Sequence, residues 1–75
     1  MIPEHSVVRL RTGDVVAVDH SLTEAGWQPR PGEEGAIVHV YPESGVYEME
    51  ICDAEGATRA LVTVREDQVE LVWSP

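Results

Sequence analysis

The chain has one cysteine, no lysine, four aromatic side chains and no long apolar run. A lone thiol excludes an internal disulfide. No CxxC or paired-histidine spacing offers a structural zinc in its place. Seventy-five residues make a single domain, residues 1–75, which buries only about 60% of the surface its unfolded form exposes. Stability must therefore come from strand packing, helped by any partner, and a deep catalytic cleft is not expected in one copy. No stretch nears the ~18 apolar residues of a membrane span, and residues 1–5 show no basic region followed by an apolar run. The expectation is a cytoplasmic protein that does not engage a membrane. Without lysine, five arginines oppose fourteen carboxylates, a formal net charge of −9. Phosphate backbones are held by cations, so nucleic acid is not an expected partner. A surface of this sign confers solubility and complements a basic protein.

What is present is a series of short β-branched runs separated by turn residues. Val7-Val8-Arg9-Leu10 and Val15-Val16-Ala17-Val18 read as two strands, with Thr12-Gly13 as a short turn able to close them into a hairpin. Residues 19–34 lose periodicity and collect Ser21, Gly26, Pro29, Pro31 and Gly32, which is loop composition. Within it, Ser21 to Ala25 suits one helical turn, with Ser21 as cap and Glu24 as its reciprocal partner. In the next strand Ala36, Val38 and Val40 fall on one face, and Ile37, His39 and Tyr41 on the other. Pro42 to Gly45 carries turn residues. Tyr47, Met49 and Ile51 then point to the core, and Glu48, Glu50 and Cys52 away from it. Asp53-Ala54-Glu55-Gly56 fits a type I turn. Ala60, Val62 and Val64 face inward, Arg59, Thr63 and Arg65 outward. Residues 65–68 make a 3₁₀ turn before Val69 to Trp73 ends the domain. Five to six short antiparallel strands with one long loop predict an all-β, SH3-like barrel, to which residues 1–13 add an extension strand.

From Asp14 onward the landmarks Asp14-Val15-Val16-Ala17, Pro31-Gly32-Glu33-Glu34-Gly35-Ala36-Ile37-Val38-His39-Val40-Tyr41, Tyr47-Glu48-Met49-Glu50-Ile51, Asp53 to Gly56 and Ala60 to Val64 follow one another in order. Over residues 14–72 this pattern resembles a family of short bacterial proteins, domain of unknown function 4926. Residues 1–13 lie outside it. The resemblance implies the SH3-like barrel and brings no catalytic or ligand residues with it. More remotely, the Gly-Glu-Glu-Gly strand is similar to the barrel at the end of the nitrile hydratase β subunit, most of which this chain lacks.

No motif names a reaction. Glu48 and Glu50 share a strand face about 7 Å apart. That spacing suits a general acid and base across a water, yet no saccharide cleft accompanies it, and a contact role receiving Arg or Lys from a partner competes with a merely solvated face. His5, His20, His39 and Cys52 lack metal-ligand spacing. Ser21 beside His20 lacks an orienting acid, and acidic neighbours raise the Cys52 thiol. In the loop around Trp27 and Arg30, the indole either caps the barrel or projects as a binding anchor. Tyr41, Tyr47 and Trp73 are candidates for an added aromatic surface. The reading is a non-enzymatic protein-binding module without metal or cofactor, contacting another protein or itself through Trp27, Arg30, Glu48 and Glu50. The alternatives are an accessory or maturation subunit of a larger enzyme and an antitoxin or immunity protein.

Overall fold

Strand alternation and the tight turns between strands decide this architecture. The computed structural model describes residues 1–75, the side chain of His20 excepted. It contains β1 (Val7–Leu10), β2 (Val16–Ala17), a 3₁₀ turn (His20–Leu22), β3 (Glu34–Tyr41), β4 (Val46–Cys52), β5 (Thr58–Arg65), a second 3₁₀ turn (Glu66–Gln68) and β6 (Val69–Trp73). The strands form one open antiparallel sheet in the order β2-β5-β4-β3-β1-β6. The result is a small barrel-like all-β fold, in keeping with the SH3-like expectation.

The period of two sets the core. Tyr47, Met49 and Ile51 on β4 and Ala60, Val62 and Val64 on β5 are buried. They meet Val8, Leu10, Ile37, Val69 and Ile2, with Val15, Trp27 and Val40 packed against them. Each such aliphatic side chain contributes roughly 1.5–3 kcal/mol on full burial. The β4 to β5 turn forms as read: Asp53 Oδ1 accepts the N–H groups of Glu55 and Ala57, and the Gly56 N–H reaches the Asp53 carbonyl at 3.1 Å.

Three expectations are corrected. First, β1 does not form a hairpin with β2. It lies between β3 and β6, while β2 pairs with β5. Two long-range ladders bury Val8 and Leu10, which a local hairpin could not do. Residues 1–13 thus belong to the barrel, with Ile2 buried and its N–H donated to the Tyr47 hydroxyl at 3.0 Å.

Second, the register of β3 shifts between Ile37 and His39. Val38 is the extra residue, and such a bulge moves every later side chain to the opposite face. Ile37 and Val40 therefore both pack inward, whereas His39 and Tyr41 are exposed. Third, the first 3₁₀ turn is capped by Asp19, whose Oδ1 accepts both the N–H and the hydroxyl of Ser21 at 2.8 Å. Glu24 instead pairs with Arg59 at 3.1 Å.

The Gly-Glu-Glu-Gly segment owes its two glycines to different causes. Gly32 has φ +94°, a left-handed conformation that side chains with a Cβ disfavour. Gly35 sits where a Cβ would lie 2.3 Å from the Glu50 carbonyl. Only glycine lets β3 and β4 close there.

Candidate functional site

With Met49 and Ile51 buried, Glu48 and Glu50 stand on the outer face of β4, the third strand of the sheet order. Register adds their neighbours. Glu48 lies between Thr63 on β5 and His39 on β3, and Glu50 between Leu61 and Ala36. The row through Glu50 continues to Val7 on β1 and Trp73 on β6, because directly opposed residues share a face.

Each carboxylate has a hydroxyl partner. Glu48 accepts the Tyr41 hydroxyl, and Glu50 accepts the Thr58 hydroxyl at 2.6 Å. Tyr41 packs edge-to-face on His39, with ring centroids 4.4 Å apart. The hydrogen bond to Glu48 raises the Tyr41 pKa, with desolvation and the carboxylate charge adding to it. Among the described residues neither glutamate is ion-paired, and four of the five arginines are engaged elsewhere. Arg9 bridges Glu34 and Glu70, Arg11 approaches Glu70, Arg59 holds Glu24 and Arg65 holds Asp67. Two half-exposed carboxylates flanked by His39, Tyr41 and Leu61 form a surface that can receive cationic side chains with apolar stems.

The other candidates stand apart from this face. Trp27 is half-buried against the core, its backbone N–H donates to the Glu24 carbonyl at 3.0 Å, and its buried indole N–H has no partner among the described residues. This packing is the geometry that the capping reading expects. Arg30 is exposed in the long loop and, among the described residues, has no ion pair. Tyr47 contributes nothing to an aromatic surface, since it is buried with its hydroxyl donated to Glu66 at 3.0 Å. Cys52 is exposed, its thiol raised by desolvation first and by Glu50 and Asp53 next. Among the described residues no three metal-binding side chains converge. The His20 side chain, one of the four weighed as ligands, lies outside them. A groove of about 250 Å³ beside Val16, Arg65 and Gln68, and one of about 280 Å³ along Tyr41 to Ser44, indent the surface.

The sequence model of one family, a domain of unknown function (DUF4926), matches residues 4–71. The chain belongs to this family. The match begins ten residues before the expected Asp14, so β1 is part of the family pattern rather than an addition to it. No curated protein and no solved structure matches the chain. No helix is long and apolar enough to cross a membrane. His39 and Leu61 are the members of the outer face that sequence reasoning missed. Leu61 follows from the alternation that buries Ala60 and Val62, whereas His39 needed the bulge.

Proposed function

We propose that the domain is a non-enzymatic protein-binding module that receives a basic partner on the outer face of β3, β4 and β5. The observation that carries this reading is the pair Glu48 and Glu50. They are outward, without an arginine partner among the described residues, and bordered by Tyr41, His39 and Leu61. Their spacing of about 7 Å matches alternate side chains of an extended segment. The net charge of −9 steers such a partner inward from a distance. Trp27 supports the barrel from beneath the loop, and Arg30 is a peripheral contact at most. The single unpaired thiol accords with a reducing, cytoplasmic setting.

The test is affinity capture from native lysate with wild type and the Glu48→Arg/Glu50→Arg variant as matched baits. A protein retained by the first and lost by the folded second supports the reading. Equal capture by both removes the acidic face from it.

A further inference from the structure

The sheet ends on β6, and the backbone hydrogen bonds show which of its groups are unspent. Leu10 directs its carbonyl and N–H to Gly32 and Glu33, while the Arg11 N–H reaches the Gln68 carbonyl at 2.8 Å. By alternation Gln68 and Glu70 face β1, and Val69 and Leu71 face the open side. Val69 is satisfied there, its N–H by the Glu66 carbonyl and its own carbonyl by Arg11 Nε at 3.0 Å. Val72 is the extra residue where the register shifts between Val7 and Val8. Leu71 remains, with an N–H and a carbonyl aimed outward. Leu71, Val72 and Trp73 are 51%, 43% and 55% exposed, a run of three apolar residues on an edge.

The two ends of β6 differ in chemistry. The Arg11 guanidinium sits at the Val69 end, its side chain 57% exposed, and the Trp73 indole stands at the other. We propose that a second copy of this chain lays its β6 antiparallel on this edge. The two-fold axis passes at Leu71, so that the Leu71 backbones exchange hydrogen bonds and Arg11 of each copy stacks on Trp73 of the other. Two-fold interfaces are self-complementary in this way, and guanidinium over indole is a favourable cation–π pair. Local charge selects a second copy over a basic partner here. Arg9 and Arg11 already neutralise Glu34 and Glu70 beside the strand, which leaves no free carboxylate for an incoming cation. The remaining negative charge repels the copies at long range, so salt tightens the pair.

Sedimentation equilibrium across protein and salt concentration tests this. The expected result is a dimer whose dissociation constant falls as salt rises. It should rise about tenfold or more in Arg11→Ala and Trp73→Ala, as at interface hot spots, and association should be lost in Leu71→Arg with an unchanged circular dichroism spectrum. The Leu71 amide should also exchange more slowly as protein concentration rises. A monomer at all concentrations, or a dimer indifferent to these substitutions, overturns the proposal. The Glu48→Arg/Glu50→Arg variant should still dimerise, and no more weakly than wild type because it carries less net negative charge, which keeps this outcome separate from partner binding.

Discussion

Gln68 donates its side-chain N–H to the carbonyl of Asp14 at 2.9 Å, joining residues 54 apart in the chain. Its Oε1 accepts the Arg65 N–H at 2.8 Å, and the side chain is buried. One amide thus fastens the second 3₁₀ turn to the segment entering β2. Truncation strands a donor and an acceptor, each costing about 1–3 kcal/mol if left unpaired. Gln68→Ala should lose about 2–4 kcal/mol on that basis, read from urea unfolding as a lower midpoint at unchanged slope. A loss below about 0.5 kcal/mol would mean that water replaces both bonds.

The glycines of β3 and its turn should separate by mechanism. Gly35→Ala drives a methyl into the β4 backbone, and overpacking of that kind costs about 3 kcal/mol or more. Gly32→Ala meets open space and bears only a left-handed conformation, worth about 1–2 kcal/mol. Thermal unfolding of the two variants should rank them in that order, and the reverse order would place the close approach elsewhere.

Much of this core was legible because alternation on β4 and β5 is strict and Asp53 to Gly56 is a recognisable turn. Residues 65–73 read correctly for the same reason. The partners of β1 were not legible, since pairing with β3 and β6 depends on contacts far along the chain. Nor was the phase of β3, because the bulge at Val38 changes backbone register without demanding a particular residue. Glu48 and Glu50 could be placed on one face from spacing alone. Only register could bring His39 and Leu61 beside them, and only packing could place Trp27 against the core.

Ser6 is fully buried, and its hydroxyl has no hydrogen-bond partner among the described residues. A buried unsatisfied hydroxyl costs about 1–3 kcal/mol. Ser6→Ala is therefore expected to stabilise the domain by about 1 kcal/mol, seen as a raised unfolding midpoint. A destabilised variant would show that the hydroxyl is satisfied through a bound water.

Tyr41 should titrate above the ordinary tyrosine value because its hydrogen bond to Glu48 favours the neutral phenol. A raised folded pKa adds stability that is fully present below the unfolded pKa and disappears as pH rises through the folded one. Glu48→Gln should bring the Tyr41 transition back toward the ordinary value, followed by ring-resonance shifts during alkaline titration. No change in that variant would mean that burial alone raises it.

The most direct test of the binding face uses the captured basic partner and amide chemical-shift mapping of the labelled domain. Perturbations should gather on Glu48, Glu50, His39, Tyr41 and Leu61 and weaken as salt is added. Perturbations centred on the loop around Trp27 and Arg30, with Glu48 and Glu50 unmoved, would contradict it.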